Sequence, residues 1–199
     1  VDHLILGGLM YNTFLSAKYG VTINGVSAED KVLAKELVDL DRTEGKILEM
    51  PMLVESDSTG DRTEGGYRLV ETAQLKEGGS LQYILDVHEK SFRDPRVTEI
   101  IGSARTIFVN AVMGLMPLFF EGSRELYRLI NENTSASKLY AGGDTLQELR
   151  NLCPGIYMAG LDDPKTYYFT GGGSVLAAIE QGSPYKMKPF AALLREEPA

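Results

Sequence analysis

The sequence predicts a three-layer α/β/α domain around a mainly parallel sheet, Rossmann-like in type, and three observations carry that prediction. Three short β-rich runs each lead through a glycine turn into apolar residues at helical spacing. These are His3-Leu4-Ile5-Leu6 into Gly7-Gly8, Lys138-Leu139-Tyr140-Ala141 into Gly142-Gly143, and Tyr167-Tyr168-Phe169-Thr170 into Gly171-Gly172-Gly173. Strands that alternate with helices imply βαβ crossovers, and crossovers imply parallel pairing. The 199 residues, 43% hydrophobic, are enough for one ordinary core without staples. The whole chain, 1–199, therefore reads as a single domain.

The first strand covers residues 3–6, and its helix carries Met10, Phe14 and Leu15. Ser27 and Asp30 form a capping box ahead of Val32, Leu33, Leu37 and Val38, which predicts a helix of about three turns. Residues 47–54 read as extended. Pro51 assigns that run to a sheet edge or a bulge, because proline donates nothing to a ladder. Residues 55–83 are polar and punctuated by glycine, a hairpin or loop excursion with a strand at 67–70. Asp94-Pro95 is an N-cap with proline at the first helical position, followed by Val97, Ile100 and Ile101. Thr106-Ile107-Phe108-Val109 is a compact strand that ends at Asn110. Ser123 is placed to cap a helix carrying Leu126, Leu129 and Ile130.

Charge and cysteine usage narrow the function classes. Asp plus Glu number 28 against 20 Lys plus Arg, a net charge of -8, which disfavours electrostatic nucleic-acid binding. The single cysteine, Cys153, excludes an internal disulfide framework and fits a reducing compartment. No apolar stretch approaches the roughly 18 residues of a membrane span; the longest, around 112–120, is broken by Gly114 and Pro117. The expectation is a cytoplasmic domain with no nucleic-acid or membrane partner. Val1 in place of an initiator Met reads as a cut within a longer chain.

A glycine turn between strand and helix lets backbone amides approach a ligand closely. The helix behind it offers unpaired N–H groups and partial positive charge, which suit phosphate. In an open α/β sheet such turns lie at the carboxyl ends of the strands, where ligands bind. Glycine also serves βα turn geometry with no ligand at all, but three such turns together point to a nucleotide or another polyphosphate. No P-loop and no G-x-G-x-x-G fingerprint is present. His3 and His88 have no metal-ligand spacing; His88 reads as a loop residue, with a catalytic role as the alternative. Cys153 reads as a structural thiol. Asp144 reads as a helix N-cap and, compatibly, as a carboxylate beside bound phosphates that holds Mg²⁺.

The order and spacing of four segments resemble the C-terminal, nucleotide-binding domain of phosphoglycerate kinase. They are Gly7-Gly8, Val109-Asn110-Ala111-Val112-Met113-Gly114, Gly142-Gly143-Asp144-Thr145 and Thr170-Gly171-Gly172-Gly173-Ser174. The family's stretches read I-G-G-G-M-A-x-T-F, W-N-G-P-M-G-x-F-E, G-G-G-D-T and S-T-G-G-G-A. Weaker echoes are Asp86-Val87-His88-Glu89-Lys90-Ser91 for D-I-G-P-K-T, Asn24-Gly25-Val26-Ser27 for G-K-S, and the closing Pro189-Phe190-Ala191-Ala192-Leu193-Leu194.

The resemblance implies binding of ATP or ADP with Mg²⁺. Gly142, Gly143, Asp144 and Thr145 would meet the phosphates, with the metal at Asp144. Asn110 would lie beside the phosphates, Gly7 and Gly8 on the adenine side. Gly171, Gly172 and Gly173 would be the catalytic element, a helix N-terminus facing the transferred phosphoryl group. The implied reaction moves that group between 1,3-bisphosphoglycerate and ADP, and the implied partner is a missing N-terminal substrate domain. Two nucleotide-binding lysines, upstream of the first strand in the family, are also absent, so this chain alone is expected to be inactive. Departures open an alternative, a non-catalytic descendant that binds a nucleotide or a partner. The tryptophan, glycine and proline of W-N-G-P are Val109, Ala111 and Val112. The ribose-holding glutamate falls at Pro117. Leu9 replaces the third glycine of the first turn, and Ala141 the first of G-G-G-D-T.

Overall fold

A computed structural model describes residues 1–194. The helices are α1 Gly8–Tyr19, α2 Ala28–Glu44, α3 Pro95–Ser103, α4 Glu121–Glu132, α5 Gly143–Leu152, α6 Pro154–Asp162, α7 Gly172–Glu180 and α8 Lys188–Leu193. The strands are β1 Thr22–Ile23, β2 Met52–Ser56, β3 Tyr67–Glu71, β4 Ser80–Leu81, β5 Tyr83–Val87, β6 Thr106–Val109, β7 Ser137–Ala141 and β8 Thr166–Phe169.

The α/β class is the predicted one, and parallel pairing predominates. β6, β7 and β8 form a parallel sheet in that order, with α4 crossing from β6 to β7 and α5 and α6 crossing from β7 to β8. β1 and β4 also pair in parallel. The antiparallel part is β3-β2-β5, in which β2 and β3 are the two arms of a hairpin. Among the described residues, no helix is long and apolar enough to cross a membrane.

Two predicted strands shrink, for one reason. Residues 3–6 pair only through the single bridge Leu4–Ile47, and the extended run from 47 becomes a ladder strand only at Met52. Between them, side chains take the backbone groups a ladder would use. The Met50 amide donates to Tyr11 Oη at 2.8 Å, and the Met50 carbonyl accepts from Thr72 Oγ1 at 2.6 Å. A backbone group needs a partner when buried, but the partner need not be another strand. Pro51 then falls just outside β2, its carbonyl accepting from the Thr72 amide at 2.9 Å. β2 is therefore a central strand, contrary to the edge position its proline suggested; the register shift in β2 lies further on, between Val54 and Glu55.

Caps account for other agreements and differences. Ser27 Oγ accepts from the Asp30 amide at 3.0 Å, and Asp94 Oδ1 from the Arg96 amide at 2.9 Å, both as the sequence predicts. α2 runs 17 residues, longer than its apolar stripe suggests. Its last turns are solvated, with Arg42 paired to Asp39 at 2.9 Å, and it stops at Gly45 in the left-handed region. Ser123 does not cap α4. The helix starts two residues earlier, and buried Ser123 instead accepts from the Met113 amide at 2.9 Å, pinning the loop after β6. Asp144 is not an N-cap either: that position is Gly142, and Asp144 lies in the first turn of α5.

Candidate functional site

Parallel register brings the predicted residues to one sheet edge. Val109 pairs with Tyr140 and Ala141 with Phe169, so β6, β7 and β8 finish together. Asn110 follows β6, Gly142 follows β7, and Gly171 follows β8 after one residue. The Gly142 amide donates to the Phe169 carbonyl at 2.9 Å, which locks the second turn to the third strand.

At this edge backbone meets backbone. A Cβ on Gly142, whose φ is 99°, would lie 3.0 Å from Asn110 Oδ1. A Cβ on Gly172 would overlap Asn110 Oδ1 and come within 2.8 Å of the Gly142 Cα. No side chain fits between these three residues. The first turn joins from the other side of the Asn110 loop, where Gly7 packs against the Val112 carbonyl and the Met113 sulfur. Gly8 opens α1 beside it, and the nearest neighbours of Gly7 and Gly8 lie on the Asn110 loop, at Val112 and Met113, not at Gly142 or Gly172.

Because their caps are Gly142 and Gly171, α5 and α7 both begin without a side-chain cap. Their first-turn amides, at 143–145 and 172–174, are therefore available to an external acceptor, and two helix N-termini add positive potential at the same edge. A phosphate chain suits that donor set. Asp144 is exposed in the first turn of α5, a single hard oxygen ligand beside the amides. No cluster of three or more His, Cys, Asp or Glu is placed to hold a metal among the described residues. A magnesium ion at Asp144 would draw its other ligands from phosphate and water. Thr145 is buried, its carbonyl accepting from Tyr127 Oη at 3.5 Å. Gly143 and Gly173 have open space around them.

The departures from the glycine pattern are accommodated. Leu9 turns its side chain outward, 55% exposed, and the Ala141 methyl faces the core from the last position of β7. Ala111 and Pro117 are exposed on the loop. His88 caps a single 3₁₀ turn, Nδ1 accepting from the Lys90 amide at 3.2 Å, and burial lowers its pKa. Cys153 is a buried free thiol that starts α6, its pKa raised by burial.

Sequence reasoning gives no role to two buried carboxylates, naming Asp86 only within a weak echo and Glu148 not at all. Asp86, 2% exposed, accepts from the Val87 amide at 2.8 Å and the Gly122 amide at 3.1 Å, and burial pushes its pKa up to about 7. Glu148 lies one turn behind Thr145. Burial raises its pKa; Oε2 accepts from Tyr127 Oη at 2.9 Å, and Oε1 has no partner. Position was the available signal. Asp86 shares the inward parity of Ile84 on β5, and Glu148 falls inside the stripe of Thr145, Leu149 and Leu152.

The model of the phosphoglycerate kinase family matches residues 1–182. Among curated relatives, the phosphoglycerate kinase of Maridesulfovibrio salexigens is 30% identical over 184 residues, covering 90% of this chain and 42% of that protein. That of Thermus thermophilus is 31% identical over 188 residues, covering 92% and 44%. That of Mycoplasma genitalium is 26% identical over 181 residues, covering 89% and 41%. The solved phosphoglycerate kinase from Coxiella burnetii superposes with a TM-score of 0.68 at 21% identity, over 92% of this chain and 44% of that one. This chain thus spans less than half the length of the relatives it matches.

Proposed function

Since the chain belongs to the phosphoglycerate kinase family, we propose that it is the ATP/ADP-binding part of a kinase that moves a phosphoryl group between 1,3-bisphosphoglycerate and ADP. The observation that carries this reading is the meeting of Asn110, Gly142 and Gly172 at the carboxyl edge of β6, β7 and β8, beneath two helix N-termini without side-chain caps.

The residues have distinct roles. The amides at 143–145 hold the terminal phosphates of the nucleotide, and Asp144 orients the bound cation. Asp144 would be the protein ligand of a magnesium ion, whose charge would offset that of the phosphates. Asn110 fixes the phosphate chain from the β6 side, while Gly7 and Gly8 border the base. The amides at Gly172 and Gly173 face the group in flight, where a preorganised N-terminus stabilises developing charge without reorganising. Nothing covalent is asked of these residues; they position and stabilise.

The acceptor and the cationic side chains of the transfer belong, in this reading, to the part of the longer protein that the chain does not cover. The 199 residues alone bind nucleotide but do not turn over. Calorimetric titration with Mg-ADP tests the binding: micromolar affinity, weakened at least roughly tenfold by Asp144→Ala, is the expected result. No heat at millimolar ligand overturns it. A second reading, nucleotide binding without transfer, draws support from exposed Pro117, whose side chain accepts no hydrogen bond from a ribose. Turnover restored by adding the remaining half of the protein decides between the two.

A further inference from the structure

Helix α4 packs against α5, and its buried face reaches both the Asn110 loop and the first turn of α5. Ser123, 1% exposed, accepts the Met113 amide of the loop at 2.9 Å. Tyr127 follows one turn later on the same face of α4. It is fully buried, and its hydroxyl meets α5 at two points, Glu148 Oε2 at 2.9 Å and the Thr145 carbonyl at 3.5 Å.

The anchor on α5 is a carboxyl short of partners. Glu148 is 3% exposed, and its Oε1 has none. Among the described residues, no Lys or Arg forms an ion pair with it. A buried carboxyl is costly unless donors reach it. Tyr127 is such a donor, since burial raises its pKa and the phenol keeps its proton. The Ser123 hydroxyl faces the same carboxyl and, like Tyr127, favours its charged form against burial.

α4 is itself held in place. The Asp86 carboxylate accepts the Gly122 amide at 3.1 Å, and a Cβ on Gly122 would overlap the Val87 carbonyl, so the first turn of α4 seats directly on the end of β5. The helix is a fixed post with two grips, on the loop that carries Asn110 at Ser123 and on the turn that carries amides 143–145 at Tyr127. Asn110 Oδ1 lies 3.0 Å from where a Gly142 Cβ would stand. Loosening either grip therefore changes the space between the asparagine and the α5 amides.

We propose that Ser123, Tyr127 and Glu148 are positioning residues, which set the gap between Asn110 and the α5 amides into which the nucleotide phosphates fit. Their role rests on the nucleotide-binding reading of that edge, and none of the three need touch the ligand.

Titration calorimetry with Mg-ADP on the unaltered chain and on single variants, each at a temperature where it is folded, tests the role. Tyr127→Phe keeps the ring and removes only the hydroxyl; Ser123→Ala removes only the acceptor of the Met113 amide. Each should weaken Mg-ADP binding by at least roughly fivefold, the scale of one hydrogen bond. Glu148→Leu should do the same, whereas Glu148→Gln, which keeps an acceptor for Tyr127, should stay within roughly twofold of the unaltered chain. Tyr140→Phe controls for damage to the core: it strips a buried hydroxyl without a partner, on a ring packed edge-on against Tyr127, and should bind normally. Native affinity in both Tyr127→Phe and Ser123→Ala, whatever their Tm, overturns the proposal. So does an equal loss in Tyr140→Phe, or a Glu148→Gln as weak as Glu148→Leu. Should Tyr127→Phe fail to fold, Ser123→Ala and the Glu148 pair decide. An unaltered chain that binds no Mg-ADP overturns the nucleotide reading and this role with it; native binding with indifferent variants overturns the role alone.

Discussion

The Asp86 carboxylate accepts the Gly122 amide at 3.1 Å, tying the end of β5 to the first turn of α4 from a position that water scarcely reaches. Its pKa, raised to about 7 chiefly by burial, makes this tie sensitive to pH. The folded protein holds the proton more tightly than an unfolded chain, where an aspartate titrates near ~3.9. Stability from this group is therefore fully present below about pH 4 and is lost as pH rises through about 7. Between those limits the loss is on the order of 2–4 kcal/mol, at about 1.4 kcal/mol per pKa unit. Urea unfolding of the native chain and Asp86→Asn from pH 5 to 8 checks it. The native chain should lose stability over that range relative to the variant, and parallel profiles would show that Asp86 does not titrate there. His88, with a lowered pKa, acts in the opposite sense in both proteins and cancels in the difference.

Replacing Gly172 by alanine forces a methyl group into Asn110 Oδ1 and the Gly142 backbone. The third turn must then move away from the second. Mg-ADP affinity should fall at least roughly tenfold, and stability by about 1–3 kcal/mol from overpacking. Gly173 has open space and is the second residue of α7, so Gly173→Ala should keep its stability or gain up to about 1 kcal/mol. Calorimetry and thermal unfolding on the pair separate a steric cradle from a general dislike of side chains. Wild-type affinity in Gly172→Ala would remove the support that this convergence gives to the nucleotide reading.

Tyr11→Phe should cost about 1–3 kcal/mol, since it strips the buried Met50 amide of its acceptor and leaves nothing in its place. A denaturant titration with a lower midpoint and an unchanged slope is the expected signature.

The same bond shows where sequence reasoning lost track of the fold. Periodicity and glycine turns located β6, β7, β8 and the helices behind them, because each rests on local pattern. Ser27 and Asp94 were legible as caps because cap and helix are contiguous. The run from Ile47 to Met50 looks like a strand because it is extended and apolar, yet beyond its one bridge to Leu4 the backbone bonds of Met50 end on Tyr11 and Thr72, distant in sequence. Ser123 failed in the same way, its partner being the Met113 amide rather than its own helix. At the candidate site, residue types and order were readable. The mutual contact of Asn110, Gly142 and Gly172 was not, since it depends on three strands ending in register.

Arg62 connects the polar hairpin to the loop that leads into α4, and this linkage is testable. Its guanidinium donates to the Leu118 carbonyl at 2.8 Å and to Glu121 Oε1 at 2.7 Å, and lies over the rings of Tyr67 and Phe119 at 4.8 and 5.0 Å. The pair is about one quarter exposed, so solvent screens part of the Coulomb attraction. Stacking and the bond to a carbonyl do not depend on that charge pair in the same way. Arg62→Ala should destabilise the chain by about 1–2 kcal/mol, and Arg62→Lys should recover only part of that, because an ammonium has no plane to lay on the two rings while it donates to the acceptors. The Asp57 amide, which closes the hairpin on the Gly66 carbonyl at 2.9 Å, reports the local effect. Its hydrogen exchange should accelerate in Arg62→Ala while amides of β7 stay protected. Equal acceleration at both places would mean that Arg62 supports the whole fold and does not specifically dock the hairpin.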